Sequence, residues 1–580
     1  MERNAALLKK KYNSLLVSTL AMTASLYMAG ILDGIMVGRI ISPLAFSAIN
    51  LTLSVSFLEN IFVALFTFGG NTLAVMYMGK RENDKANAVF TLSYAAVLVS
   101  SVLIAIIGII LIKPTSALLS QHNAELKALI EAYLVPLWIL TPFTALLNMT
   151  AAFARTDGLK KLATSMPIIA NAINLCCDII FMAVLKLGVA GAGWATVTGY
   201  ALTLSLMIVY FKFPSRSVFF TKKAFGDIKE LKTICSIGLP SSLIYVCNFL
   251  RLFFTNAIIL SSTGSDGVQI ASVSFSLNSL CFIIIEGASM TLLPLLSALY
   301  GEKDLKGIKL SLKYGLIVTI ILCLIVMALC MLFPVQLAAL YGLTDPAIVS
   351  VFKVTFRIVS IIVPILGVIY VMRTFFQATK QKTIANILVV VDGFAAVVPI
   401  MWALSKINIY WLWASFPISK AVTLLITFIV VAITKKVKHK DNYLLIDGEE
   451  GCVLDFTIKS SVEQALEASK RVIDFCRENE LDEMLATRLG VSTEELCVNT
   501  AKYAGKSGSD NIDIYLKIGD KSVILKLRDD GDIFNPTEYA DDSGKIITGL
   551  QMVRAVSSNI EYSRVIGFNV TVVTVERQKV

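Results

Sequence analysis

The chain has 580 residues, enough for two or more domains, and it is 56% hydrophobic with a mean hydropathy of +0.73, above the range of an ordinary soluble domain. Its net charge of +10 is unevenly placed: residues 451–580 carry 16 Lys+Arg against 21 Asp+Glu, a net of −5, so residues 1–450 carry +15. The basic excess belongs to the apolar part, which points to cytoplasmic loops of a membrane protein and argues against a nucleic-acid partner.

A membrane helix needs about 20 apolar residues. Twelve such spans are predicted, near 14–38, 44–78, 89–112, 129–153, 163–185, 188–211, 233–261, 268–298, 310–333, 351–375, 384–405 and 409–434. The first run is a full span without a small-residue cleavage site, so no cleavable signal peptide is expected. Ten cysteines are scattered without zinc-ligand spacing, and His122 and His439 are the only histidines, so no histidine-based metal site is expected.

Loop charge orients these spans. With the N-terminus cytoplasmic, the inside segments hold 27 Lys+Arg, from Arg3 and Lys9 to Lys438 and Lys440, against five outside: Arg39, Lys113, Lys127, Lys186 and Lys406. This bias predicts a multi-pass protein of a bacterial-type cytoplasmic membrane with both termini inside.

The spans fall into two similar sets. YMGKRENDKANAV at 77–89 follows the second span and LYGEKDLKGIKLS at 299–311 follows the eighth, with Gly79 and Gly301 offset by 222 residues. FARTDGLKK at 153–161 likewise parallels FQATKQKT at 376–383. A duplicated six-span unit with an even number of crossings gives two parallel lobes. The expected organisation is a first lobe over 1–211, a cytoplasmic loop over 212–232, a second lobe over 233–437, a linker over 438–450 and a soluble domain over 451–580.

Charges at the bilayer centre cost about 2.5–3.5 kcal/mol on insertion scales, so spans keep them mainly for function or internal pairing. Asp33, Glu59, Asp178, Glu286 and Asp392 stand out, with Arg251, Arg357 and Lys420 as candidate cationic partners. Asp33 and Asp178 should lie at similar depth, and Asn174 shares a helix face with Asp178, with Asn171 one turn earlier. A carboxylate and a carboxamide in a dry cavity can exchange a proton or ligate sodium through hard oxygens. The alternative is that these side chains only hydrogen-bond neighbouring helices.

ILDGIMVGRI at 31–40, NAINLCCDIIF at 171–181 and GVAGAGWATV at 188–197, with the two post-helix segments, resemble the multidrug and toxic compound extrusion (MATE) family over roughly residues 10–435. The resemblance implies H+- or Na+-coupled export of amphiphilic, often cationic, compounds. By position it places Asp33, Asn174 and Asp178 at the first-lobe cation site; from their place inside the spans, Glu59, Asn171, Glu286 and Asp392 are candidate substrate or cation contacts. Flippases of lipid-linked precursors share the fold, so architecture does not fix the substrate.

In residues 451–580 helices are predicted near 462–479, 482–504 and 548–557, and strands near 511–518, 521–528 and 569–576, an α/β sandwich. The GKS tripeptide at 505–507 lacks the glycine of a phosphate loop five residues before it, which weighs against an ABC-type motor. EELCVNTAKYA at 494–504, RDDGDIFNP at 528–536, TGLQMV at 548–553 and GFNVTVV at 567–573 resemble the ATP-binding fold of gyrases and histidine kinases, especially the serine-kinase anti-sigma factors. That resemblance implies ATP with Mg²⁺ on Asn499, Glu495 as general base, Asp529 on the adenine amino group, Gly531 in a tight turn beneath the base and Gly549 toward phosphate. One departure is Ile533, where the family has a second glycine.

The leading expectation is a cation-coupled exporter in contact with lipid, with an ATP-binding regulatory domain. Its alternatives are a membrane-anchored serine kinase acting on an anti-anti-sigma-like partner, and a lipid-linked precursor flippase.

Overall fold

The protein is described by a computed structural model, over residues 3–79, 82–121, 123–157, 159–213, 216–222, 224, 229–446, 451–503, 511–537, 548–565 and 567–577. Lys80, Arg81, His122 and the tripeptide at 505–507 lie outside the described residues.

Ten helical stretches among the described residues are long and apolar enough to cross a membrane. One of them, Ser241–Gly301, has 61 residues, and at about 1.5 Å per residue it is roughly three times as long as a hydrocarbon core is thick. It is two spans, broken at Gly264, whose φ of 67° and ψ of −161° are open to glycine and costly for other residues. Counting it as two and adding the helix Ala6–Ile40, which contains the expected first span, gives twelve. That first helix starts eight residues earlier than its apolar run, because its charged first turns pack on protein rather than lipid: Leu7, Leu8 and Tyr12 are buried.

Each lobe has an interruption in its fifth span. Lys160–Asp178 continues into the π-helical turns Ile179–Val184, and Lys382–Val390 into Val391–Ala395. Asp178 is the last residue before one π-helical segment and Asp392 lies inside the other. Such widened turns expose backbone carbonyls and are frequent at functional positions.

The soluble domain is a five-stranded antiparallel sheet under a helical layer. The strands are β1 (Cys452–Lys459), β2 (Asn511–Ile518), β3 (Ser522–Asp529), β4 (Asn559–Val565) and β5 (Phe568–Glu576), in spatial order β1-β2-β3-β5-β4. β1 and β4 are additions to the sequence reading. β1 carries its own alternation, Leu454, Phe456 and Ile458 against Asp455, Thr457 and Lys459, and pairs with β2 from Cys452 opposite Ile518 to Lys459 opposite Asn511. β4 is a short polar edge strand, NIEYSRV, without clear apolar alternation.

The helices Val462–Glu478 and Glu483–Tyr503 cover one sheet face. The first is started by Ser461, whose hydroxyl accepts from Gln464 N at 3.3 Å, while Gln464 Oε1 accepts from Lys459 N at 3.1 Å. Alternation sends Phe456, Ile458, Ile514, Leu516, Leu525 and Leu527 under those helices with Val472 and Leu489. Truncating Leu489, fully buried there, to Ala costs about 2–5 kcal/mol.

The other sheet face meets the membrane part. Phe568, Val570 and Val572 of β5 share an apolar cluster with Leu7, Leu8, Leu295, Leu299 and Leu445. The expected linker is partly structural as well: Leu445 is buried in that cluster and Leu444 O accepts from Gln381 Nε2 at 2.8 Å.

Candidate functional site

In the first lobe the helices Ala6–Ile40 and Lys160–Asp178 bring Asp33 and Asp178 within hydrogen-bonding reach of each other. Asp178 is fully buried, and one oxygen of each carboxyl has no other partner. Asn174, one turn before Asp178, donates from Nδ2 to Asp178 Oδ2 at 3.1 Å and to Thr196 Oγ1 at 3.2 Å. Gly199 packs against the Ala170–Asn174 turn, which lets the sixth span come close enough to place Thr196. Two carboxyls in contact repel when both are ionised, so a proton or a hard cation between them would relieve the repulsion.

Glu59 is buried nearby and accepts a short hydrogen bond from the Thr141 hydroxyl. The Tyr133 phenol lies within electrostatic range of Asp33, Asp178 and Glu59 together. Neither Thr141 nor Tyr133 was singled out from sequence. Both sit on the helix Ala124–Thr156 near Pro136 and Pro142, and those intrahelical prolines were the available signal. Asn171 is half-buried one turn before Asn174.

The second lobe is arranged differently. Lys420 Nζ donates to Asp392 Oδ1 at 2.6 Å and to Asp392 O at 2.9 Å, so of the three candidate cations it is Lys420 that meets a carboxylate. Among the described residues the other two expected cationic partners do not meet carboxylates. Arg357 Nε donates to the Met331 carbonyl at 3.0 Å, because it lies at the end of its helix facing the preceding one. Arg251 Nη2 donates to Asn248 Oδ1 at 3.1 Å, within its own helix. Glu286 accepts from the Tyr27 hydroxyl at 2.5 Å, across the two lobes.

In the soluble domain Asp529 ends β3 on the helix side of the sheet and is buried. Its Oδ1 accepts from Gly531 N at 2.9 Å and from Asn569 Nδ2 at 2.9 Å. Burial pushes the Asp529 carboxyl above its ordinary value, and these two donors oppose the shift. Asn569 is the residue the sequence reading missed, although it stood inside the quoted GFNVTVV segment. It is held by Tyr562 Oη and Arg564 Nη1, each donating to its Oδ1 at 2.8 Å.

Gly531 lies in a tight turn closed by its own N–H on the Asp529 carboxylate, and its carbonyl accepts from Arg564 Nη1 at 3.2 Å. Ile533 in the following turn is 73% exposed, so the departure from glycine there disturbs no packing.

Glu495 and Asn499 share a face of the helix Glu483–Tyr503. Asn499 is buried and spends its Nδ2 on Glu495 O at 2.7 Å, leaving Oδ1 as an acceptor. Gly549 sits so close to Glu495 that an added Cβ would lie 1.8 Å from its carboxylate oxygen. A side chain at this turn of the helix Thr548–Val556 would displace the Glu495 carboxylate, and the donor set and close backbone approach suit a nucleotide.

Residues 19–180 and 240–402, together more than half of the chain, match the MatE family. The chain belongs to the MatE family. Residues 458–575 match the histidine kinase-like ATPase domain. The multidrug export protein MepA of Staphylococcus haemolyticus is 25% identical over 384 residues, covering 65% of this chain and 83% of that protein. The probable multidrug resistance protein NorM of Listeria monocytogenes is 23% identical over 404 residues, again 65% of this chain and 83% of the relative. A multidrug resistance MATE family transporter solved in an inward-facing conformation aligns with a TM-score of 0.67 at 20% identity, covering 74% of this chain and 99% of its own. The MATE multidrug transporter DinF-BH aligns at 0.59, 20% identity, and 74% and 96% coverage. This MatE protein is therefore a multi-pass membrane transporter by fold, carrying a C-terminal ATPase-like domain.

The two parts are joined by a buried ion cluster. Arg3 donates to both oxygens of Asp304 at 2.8 Å and lies 3.2 Å from Asp455 and 3.3 Å from Asp513. Arg528 Nη1 donates to Asp304 Oδ2 at 3.0 Å, and its Nη2 pairs with Glu302. Lys526 Nζ donates to the Glu302 carbonyl at 3.1 Å. Burial disfavours an ionised Asp304, but Arg3 and Arg528 outweigh it and hold the carboxyl well below the usual range. Asp304 also caps the helix Leu305–Leu332, accepting from Gly307 N at 2.7 Å, so the repeated post-helix motif carries the docking site for the soluble sheet.

Proposed function

We propose that this chain is a proton- or sodium-coupled antiporter that exports amphiphilic small molecules, and that its cytosolic domain binds ATP and regulates it. The observation that carries the coupling half is the contact between Asp33 and Asp178, supported by Asn174 and Thr196. A proton or sodium ion held between the two carboxyls relieves their repulsion, and its release leaves two buried like charges that favour a different helix arrangement. Glu59 and Tyr133 extend the same polar patch, and Asn171 adds a carboxamide at its edge. The names of the staphylococcal and Listeria relatives support drug-like substrates.

The regulatory half rests on the fit of the nucleotide residues. Asp529 would take the adenine amino group, Asn499 Oδ1 the metal ion, Glu495 a proton, and the backbone at Gly549 a phosphate. Bound ATP supplies the Mg²⁺-triphosphate that such a set can hold. The opposite face of the same sheet is fixed to Glu302 and Asp304, so a change at the nucleotide has a direct route to the transporter.

The test is efflux of fluorescent amphiphiles from proteoliposomes containing the full chain, under an imposed pH or sodium gradient. Gradient-driven efflux that is lost in Asp33→Asn and Asp178→Asn is expected. Efflux indifferent to both gradients and to both substitutions would sink the coupling claim.

A further inference from the structure

A cavity of about 280 Å³ opens in the second lobe, just under the range of about 300–1,000 Å³ usual for drug-sized ligands. Its walls are mostly apolar, with Phe57, Phe275, Phe282 and Phe416 among them. Its charged lining is one-sided. Arg251, Arg373 and Lys420 face a single carboxylate, Asp392.

Lys420 and Asp392 neutralise each other at 2.6 Å. That leaves both arginines, and among the described residues neither has a carboxylate within 4.0 Å. Glu286, the other acid in this region, is not part of the lining and is bound by the Tyr27 hydroxyl. Arg373 lies with its guanidinium carbon 4.2 Å from the centre of the Tyr370 ring, which holds it in place without neutralising it.

Further donors on the Arg251 helix are unspent. Arg251 Nε, Thr255 Oγ1 and Asn256 Nδ2 are buried without a hydrogen-bond partner, and Thr255 and Asn256 are only 2% and 8% exposed. Buried polar groups are normally satisfied, so a set of unspent donors on one cavity wall calls for an acceptor that enters the cavity. Guanidinium groups with free donors are suited to carboxylate, sulfonate or phosphate oxygens.

We infer that the second-lobe cavity binds an amphiphilic organic anion, its acidic head between Arg251 and Arg373 and its apolar body against the phenylalanines. This rests on the exporter reading and adds the charge of the substrate. It also divides the labour between lobes. In the first lobe paired acids are free to take a cation; in the second the corresponding acid is tied to Lys420 and the remaining charge is positive.

The experiment compares two dansyl probes, dansylglycine with a carboxylate and dansylcadaverine with an ammonium, titrated onto the full chain in phosphatidylcholine nanodiscs without any gradient. Dansylglycine is expected to bind at least about tenfold more tightly, since one charge-assisted hydrogen bond corresponds to about that factor. Arg251→Gln and Arg373→Gln should each weaken dansylglycine about tenfold and leave dansylcadaverine unchanged, while Arg373→Lys keeps most of the preference. Equal affinities in the unsubstituted protein, or tighter binding of the ammonium probe, overturn the inference without any variant having to fold. Adding phosphatidylglycerol to the nanodiscs assigns the source: competition with dansylglycine marks an anionic lipid, and its absence a soluble amphiphile, and both keep the anion. Anion binding without gradient-driven efflux would leave this inference standing and remove the exporter reading; coupled efflux without anion preference would do the reverse.

Discussion

Arg528 and Asp529 are neighbours on β3 and work on opposite faces of one sheet. Arg528 donates to Asp304 at 3.0 Å beneath the transporter, and Asp529 accepts from Asn569 and Gly531 on the nucleotide side. Strand alternation makes this unavoidable: adjacent side chains point to opposite faces. The residue that would recognise adenine and the residue that anchors the domain therefore share a peptide bond.

Docking depends on the three cations that bridge the carboxyls of this cluster. Removing Arg3 as Arg3→Ala leaves Asp304, Asp455 and Asp513 buried with one cation fewer, and breaking a buried pair in this way costs about 3–5 kcal/mol. The soluble domain is then expected to part from the membrane lobes. Limited proteolysis of the 438–450 connector should be clearly faster in this variant than in the unsubstituted protein.

Nucleotide binding should follow Asp529 and its supports. Asp529→Ala is expected to abolish ATP binding by the full chain in titration calorimetry. Asn569→Ala removes one donor to Asp529 and is expected to cost about 1–3 kcal/mol of affinity. Unchanged ATP affinity in both variants would show that the pocket is used for something else.

The docking cluster should also respond to pH. Arg3, Lys526 and Arg528 face four carboxyls, Glu302, Asp304, Asp455 and Asp513. Burial, opposed by Arg3, pushes Asp455 from its ordinary 3.8 up to about 6. Between those values the docked carboxyl holds more proton than a free one, so docking tightens as pH falls from 7.5 through 6 and loosens as it rises again. Hydrogen exchange of β1 measured at pH 7.5 and 5.5 would report this, and Asp455→Asn should flatten the response.

In the second lobe the Lys420–Asp392 pair lends itself to a double-mutant cycle. Lys420→Met alone and Asp392→Asn alone each leave a buried group unpaired, with an expected loss of about 3–5 kcal/mol. The double variant should be more stable than either single one, by a coupling of the size found for directly contacting residues. Thermal unfolding of the three proteins in detergent gives the answer, and simple additivity would deny the pairing.

Much of the membrane fold was legible because insertion into lipid leaves a one-dimensional record. Each span must be apolar over about 20 residues, so their count follows from the string. Asp33 and Asp178 were visible because charge inside such a run is costly, and Asn174 because it shares a helix face with Asp178. Thr141, Tyr133 and Asn569 were not, since a threonine, a tyrosine in a span or an asparagine on a strand carries no comparable penalty. β4 escaped for a similar reason: a polar edge strand shows no alternation until it is paired.

The sequence by itself determined that this is a helical membrane bundle with an attached α/β domain, and it marked Asp33, Asp178 and Asp392 as acids inside apolar spans. Only the tertiary structure decided their partners. It set Asp33 against Asp178, tied Asp392 to Lys420, left Arg251 and Arg373 facing a cavity, and closed Arg3, Asp304 and Arg528 into one cluster. Hydrophobic periodicity fixes which face of a helix is buried. The rotation and depth at which two helices meet depend on the shapes of both, and those decide which polar atoms come within 3 Å.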